Sequence, residues 1–377
     1  MKILVICENY LPHYGGVEVL FKNLAEGFHK KGHAVSILTH RMKGTPKKEN
    51  LKGADIHRVA SLDSRYVFTF SSLFQALKLA RKHDIIQTTA FNGAFPAWVA
   101  AKITRKPVVL TVHEVWAGKW KEVTAFSGLK CALHEVLERM IYLLPFDKYI
   151  CVSNATKKDL LKQGIKEEKI EMIYNGVDYD FWKPNAVQQK QTEEIRKKLN
   201  IQDKFVFFSW GRAGASKGFE YAIKAIPKVA EKTPQAALLL MLGASPQYRK
   251  KHQELVRLSK KVNSNIAVIP SLSYQELRTL LAAVDCAIIP SVAEGFGFNA
   301  AEAAAMSKPL IASDAGSLPE IVSGKHLLFE SKNPQDLAEK MEKMMRKKFH
   351  ETAPKRFEWD SCIEEYLQRY AQIVEKK

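Results

Sequence analysis

Short runs of β-branched and other apolar residues alternate along the chain with longer stretches whose apolar positions recur every three to four residues. The short runs predict strands at 2–7, 34–39, 56–60, 85–88, 107–112 and 148–152. The longer ones predict helices at 17–31, 70–82, 93–104, 128–143 and 154–163. The pattern then breaks at Asn175-Gly176-Val177-Asp178, a turn signal, and a polar Gln- and Lys-rich stretch over 183–194 reads as an inter-domain linker. Alternation restarts with strands at 205–210, 237–243, 266–269, 286–290 and 309–312. Helices at 219–231, 247–262, 274–283 and 299–306 separate them, and a terminal helix is expected over 361–374.

Apolar strands joined through helices pack as parallel sheets covered on both faces, because the crossover is right-handed. The predicted fold is therefore α/β, with two Rossmann-like doubly wound parallel-sheet domains facing across a cleft. The domains are expected at 1–182 and 183–360, and 377 residues suffice for two cores. Such sheets bind ligands outside the carboxyl ends of their strands, so the strand-to-helix loops are where chemistry is sought.

Composition narrows the class. Hydrophobic residues at 46% and charged residues at 26% are the balance of a soluble globular protein. The longest apolar stretch, over 95–112, is interrupted by Lys102, Arg105 and Lys106, too early for the ~18 apolar residues of a membrane span. The first apolar run stops at Cys7 and Glu8 and reads as a strand, not a signal peptide. Five scattered cysteines without a CxxC pair predict reduced, buried thiols in a cytoplasmic protein and no zinc site. The net charge of +18 is divided evenly, with 27 Lys and Arg against 18 Asp and Glu up to Asp180 and 31 against 22 beyond. An even excess is not a basic tail; it fits a lysine-rich surface and, equally, attraction to anionic lipid, nucleic acid or substrate. The basic runs at 196–198, 249–251 and 346–348 are expected as solvated helix faces, and Met341, Met344 and Met345 as packing. Asp285 is expected to cap or turn the chain before its strand.

Four loops carry candidate chemistry. After the strand ending at Pro290, Glu294 and Glu302 flank Gly295-Phe296-Gly297-Phe298 at a helix start. The helix N-terminus is an anion site, whereas the two carboxylates suit hydrogen bonds from vicinal sugar hydroxyls. After the strand at 205–210, Gly211-Arg212 and Lys217-Gly218 combine close backbone approach with two cations, as a diphosphate leaving group needs. The loop matches neither Walker A nor GxGxxG, so neither ATP nor NAD is indicated. Gly15 and Gly16 open the first predicted helix and suit phosphate or sugar approach. His113 ends an apolar strand, where an imidazole can donate to a substrate hydroxyl or share in proton transfer. Trp116 and Trp120, with Lys119 and Lys121, are either core or the lining of an acceptor or membrane-facing site.

In their order and spacing these motifs, with Asn175-Gly176-Val177-Asp178 and Pro319-Glu320, resemble glycosyltransferase family 4, retaining transferases of the GT-B fold. The resemblance runs over essentially the whole chain. It implies that Glu302 binds the ribose hydroxyls of a nucleotide sugar and Glu294 the donor sugar, and that Arg212, Lys217 and Gly16 face the diphosphate. It implies further that the backbone at Phe296, Gly297 and Phe298 meets donor sugar and phosphate, and that His113 lies beside the transferred hexose. A metal-independent front-face displacement follows, with a UDP- or GDP-sugar as donor substrate, no cofactor and no metal. The family's C-terminal helix crosses back to the first domain, an expectation for 361–377. Phe298 where Leu is commoner, Ala315-Gly316 for Gly-Gly, and Arg212-Ala213-Gly214 are departures that leave the sugar unspecified.

The expected partners are a nucleotide-sugar donor and a glycan or lipid-linked acceptor, with catalysis in the cytoplasm, peripheral to the inner face of an anionic membrane. A soluble acceptor is the alternative, followed by a non-catalytic nucleotide-sugar sensor. A nucleic-acid-binding protein ranks equally low, because the sequence has no recognition helix, aromatic RNA platform or zinc pattern.

Overall fold

The computed structural model describes residues 1–62, 64–243, 246–262 and 265–376. The chain divides into two compact units. Unit 1 comprises Met1–Gly118, Ala132–Gly176 and Phe357–Lys377, and unit 2 comprises Lys119–Cys131 and Val177–Arg356.

The elements begin with β1 (Lys2–Ile6), α1 (Gly16–Lys30), β2 (Ala34–His40), β3 (Lys48–Leu51) and β4 (Ala54–Val59). Next come α2 (Arg65–Ser71), α3 (Leu73–Ala80), β5 (Ile85–Thr89), α4 (Ala94–Thr104), β6 (Val108–Val112), α5 (Trp120–Val123), α6 (Gly128–Leu143), β7 (Lys148–Cys151), α7 (Asn154–Lys162) and β8 (Ile170–Met172). The eight strands form one sheet in the order β3-β4-β2-β1-β5-β6-β7-β8. All neighbours are parallel except the β3–β4 edge hairpin. Strands β5 and β6 are buried along their whole length, as a sheet covered on both faces requires.

The chain continues through α8 (Gln189–Lys198), β9 (Phe205–Arg212), α9 (Phe219–Lys232), β10 (Ala236–Gly243), α10 (Arg249–Val262), β11 (Ile266–Ile269), α11 (Tyr274–Ala283) and β12 (Cys286–Ile289). It closes with α12 (Phe298–Ala305), β13 (Leu310–Ser313), α13 (Leu318–Ile321), β14 (Gly324–Phe329), α14 (Pro334–Met345), β15 (His350–Thr352) and α15 (Trp359–Glu375). The second sheet runs β11-β10-β9-β12-β13-β14-β15, parallel but for β15. Met341 and Met344 are buried in its core, and all five cysteines are buried free thiols.

Two expectations need correction. The 183–194 stretch is not an extended linker; its second half lies in α8, which packs on α11. Nor does Arg196 belong to a solvated face. Its guanidinium donates to the carbonyls of Ile201, Gln202, Lys204 and Ala283 and pairs with Asp285 at 3.2 Å. Asp285 in turn accepts the Val206 N–H at 2.7 Å, so the carboxylate joins α8 to the start of β9.

Helix α15 packs on α1 within unit 1. Tyr366 and Tyr370 are fully buried, with the Tyr370 ring 5.8 Å from that of Phe28. Glycine lets the helices meet: a Cβ on Gly27 would stand 2.2 Å from Ile363 Cδ1, and one on Gly176 2.4 Å from the Trp359 ring. Lys31 Nζ closes the contact on Glu364 at 2.8 Å.

Candidate active site

In unit 2 the strand order reverses between β9 and β12, and doubly wound sheets take their ligands at such a point. The loops leaving these two strands, with the start of the helix that follows β12, carry Arg212, Lys217, Glu294, Phe296, Gly297, Phe298 and Glu302. Near its end β9 passes through Gly211 at φ 143°, and the chain then makes a 3₁₀ turn at Ala215–Lys217 and enters α9 through Gly218 at φ 62°. A Cβ on Gly218 would stand 2.0 Å from the Pro290 carbonyl oxygen, so the two loops meet backbone to backbone. The Val292 N–H donates to the Ser216 carbonyl at 2.8 Å, and the Asn299 side chain donates to the Trp210 carbonyl at 2.7 Å.

Glu294 is gripped from a third loop. The N–H of Ser317 donates to its carbonyl at 3.1 Å and the Ser317 hydroxyl at 3.2 Å. Gly316, at φ 56°, passes so close that a Cβ there would stand 2.3 Å from the same oxygen. Its carboxylate is held by Lys217 Nζ at 2.7 Å and by the Ser291 hydroxyl at 3.0 Å. Lys217 and Glu294 thus form one ion pair, which an anion entering here would compete to open. Arg212 is exposed, its guanidinium 5.9 Å from the centre of the Tyr248 ring.

Gly297, at φ 91°, caps the N-terminus of α12, whose first N–H groups have no intrahelical acceptor. Phe296 is buried against Phe298, with ring centroids 5.1 Å apart, so its side chain belongs to the core. Glu302 is buried one turn into α12. Burial pushes its carboxyl up to about 8 against the opposing pull of Lys217. A pair of vicinal hydroxyls would supply the hydrogen bonds that the ionised form needs there.

Gly15, Gly16 and His113 belong to unit 1. Its sheet reverses order between β1 and β5, and β6 ends immediately before His113. Burial lowers the His113 imidazole to about 4, with Glu18 opposing, so the ring is neutral at physiological pH. Among the described residues its Nε2 has no hydrogen-bond partner. Thr156 Oγ1 donates to the His113 carbonyl at 3.1 Å and fixes the backbone. Gly15 is extended and Gly16 opens α1, but the first turn of α1 already contains the buried carboxylate of Glu18, 3.0 Å from His13 Nδ1. An anion at this helix start would share it with that carboxylate.

Sequence reasoning missed three groups of this unit: Glu8, His13 and Glu18. Glu8 is buried where β1 ends, and burial pushes its carboxyl up to about 7. Its Oε2 has no partner among the described residues. The signal that marked His113, a polar residue ending an apolar strand, was equally present at Glu8. Trp116 donates its indole N–H to Glu114 at 2.6 Å. Trp120 is buried and stacked on Phe126 in the 119–131 segment of unit 2. Among the described residues no group of three or more His, Cys, Asp or Glu is arranged to hold a metal ion, and no helix is long and apolar enough to cross a membrane.

Residues 14–181 match the model of Glycosyltransferase Family 4, and residues 191–358 match that of glycosyl transferases group 1. The chain belongs to glycosyltransferase family 4. The transferase is 26% identical to an uncharacterized glycosyltransferase of Methanocaldococcus jannaschii, over 100% of this chain and 99% of that one. It is 23% identical to the GPI3 subunit of the Saccharomyces cerevisiae phosphatidylinositol N-acetylglucosaminyltransferase, over 99% of this chain and 83% of the other. Among solved structures it resembles Anabaena HepE in complex with UDP and glucose, with a TM-score of 0.74 and 18% identity over 100% and 98% of the two chains. The transferase therefore has the GT-B fold, with two Rossmann-like domains.

Proposed function

We propose that this glycosyltransferase moves a hexose, with retention of anomeric configuration, from a nucleotide-diphosphate sugar to a lipid-linked or glycan acceptor. The observation that carries the reading is the unit 2 constellation: the Lys217–Glu294 pair, with buried Glu302 on the helix that follows, at the point where the sheet reverses order. Glu302 takes the ribose hydroxyls, Glu294 the sugar hydroxyls, and Arg212 and Lys217 the diphosphate. HepE was solved with UDP and glucose, which supports a donor of this class. The phosphatidylinositol transferase supports a lipid acceptor.

In front-face displacement the acceptor oxygen bonds to the anomeric carbon on the face from which the diphosphate departs. The breaking C–O bond leaves its electrons on the phosphate oxygen, and that oxygen takes the acceptor's proton. The protein's task is to position the partners and stabilise the departing charge. Lys217, freed from Glu294 by the entering phosphate, supplies that stabilisation with Arg212. Neutral His113 donates a hydrogen bond to a substrate hydroxyl. Unionised at physiological pH, it is not a strong base.

A thermal-shift screen of nucleotide diphosphates and their sugars on wild type and Glu302→Ala tests the donor site. One base is expected to raise the melting temperature in the wild type only. A folded wild type indifferent to the whole panel would sink the reading.

A further inference from the structure

We infer that the outward face of α6 and the neighbouring α2–α3 segment form a docking surface for an anionic lipid bilayer. The helix α6 is turned inside out. Its inward positions carry His134, Glu138 and Tyr142, all buried, while Leu133, Val136, Leu137, Met140 and Leu143 stand 42–81% exposed. Polar bonds lock this orientation. Glu138 accepts the Trp116 N–H at 2.9 Å and the Tyr142 hydroxyl at 3.1 Å, and His134 Nε2 lies 2.7 Å from the Tyr66 hydroxyl. Rotating the helix to bury its leucines would break the bonds to Trp116 and Tyr66.

The Tyr66 contact places α2 beside α6, and α2–α3 exposes apolar side chains of its own. Phe70 is 68% exposed and Phe74 77%, four residues apart in the sequence. A run of exposed apolar side chains on two adjacent helices exceeds the scattered leucines that water tolerates on a monomer.

Charge chooses the occupant. No Asp or Glu occurs between Ser64 and His83, whereas Arg65 and Lys78 are exposed at the two ends of the α2–α3 row. On α6 the acids face inward: Glu138 is buried, and Glu135 accepts the Gly118 N–H and the Arg139 guanidinium, each at 2.7 Å. Arg139 keeps its side chain 58% exposed beside the leucines. An apolar face with Arg65, Lys78 and Arg139 exposed along it complements anionic headgroups above acyl chains. A second copy docked on the same face would set these cations against their own kind. With no spanning helix among the described residues, the contact is a seat on the surface.

This inference deepens the lipid-acceptor part of the proposed function and is independent of the donor. Its test is co-sedimentation of the full chain with phosphatidylglycerol–phosphatidylcholine vesicles at about 0.15 M salt, where exposed charges alone are largely screened. The wild type is expected to partition onto them. Leu133→Ser/Leu137→Ser/Met140→Ser is expected to weaken partitioning at least about tenfold while keeping its melting temperature. Phe70→Ser/Phe74→Ser, on the other helix, should do the same and stands in if the triple variant does not fold. Wild type that ignores the vesicles, or folded variants that bind as well as wild type, would overturn the proposal. So would a wild-type dimer that binds no vesicles and that the triple variant converts to monomer, since the face would then be a contact between copies. The nucleotide thermal shift is read on the same samples. Its absence in wild type refutes the donor reading and leaves the vesicle result standing.

Discussion

If the proposed donor site is correct, Glu302 couples donor binding to a proton. Without ligand its carboxyl titrates at about 8, because burial penalises the ionised form. In the proposed donor site, nucleotide-sugar hydroxyls would stabilise the carboxylate, so binding near pH 7 is expected to release a proton, with affinity rising with pH until it levels off above about 8. Calorimetry of the sugar nucleotide in buffers of different ionisation enthalpy should show proton release that Glu302→Gln abolishes. The folding linkage has the opposite sense. The folded-state value lies above the ordinary 4.5, so the folded state binds more protons than the unfolded one between about 4.5 and 8, and ligand-free stability falls as pH rises through that window. At this scale the sequence was informative where two residues flank one strand-to-helix junction, as with Glu294 and Glu302. It was silent where partners come from separate loops. That Lys217 would close on Glu294, 77 positions away, depends on Gly218 and Pro290 meeting, which no local pattern encodes.

At the scale of elements, the contact of Gly218 with Pro290 joins the two site loops. Gly218→Ala would force a side chain into φ 62° and against the Pro290 carbonyl. It should destabilise unit 2 by on the order of 2–3 kcal/mol and shift the start of the Glu294 loop. Urea unfolding would show the loss as a lower midpoint with unchanged slope. The buried parallel strands were legible because a strand covered on both faces reads as a near-continuous apolar run, as in 107–112 and 205–210, broken only by Thr111 and Ser209. The short edge strands β3 and β15, mostly exposed, have no such run and escaped. Helix α6 is the instructive case. Its extent, 128–143, was plain from its period, yet the period alone says only that one face is apolar. The polar partners Trp116 and Tyr66, 22 and 68 residues away, decide which face turns inward.

For the whole molecule, the decisive feature is that unit 1 is assembled from both ends of the chain. The second unit's core is built from the chain between Val177 and Arg356 with the short 119–131 insertion. Ending the chain at Arg356 should therefore damage the distant amino-terminal unit more than the adjacent one. Removing α15 uncovers Phe28 and the Gly27 surface of α1 and leaves the Gly176 contact empty. Hydrogen exchange read by mass spectrometry should show protection lost in β1–β8 and kept in β9–β14.

The same feature sets a timetable for synthesis. The strands of the first sheet leave the ribosome early but lack the helix that covers α1. The intervening unit is then made in full, a delay of about 10–35 s at roughly 5–20 residues per second. Throughout that interval the nascent chain carries an uncovered apolar groove on its oldest part. A ribosome-associated chaperone should remain on it until α15 emerges, and a helix translated after the whole of the second unit becomes the one that finishes the first domain.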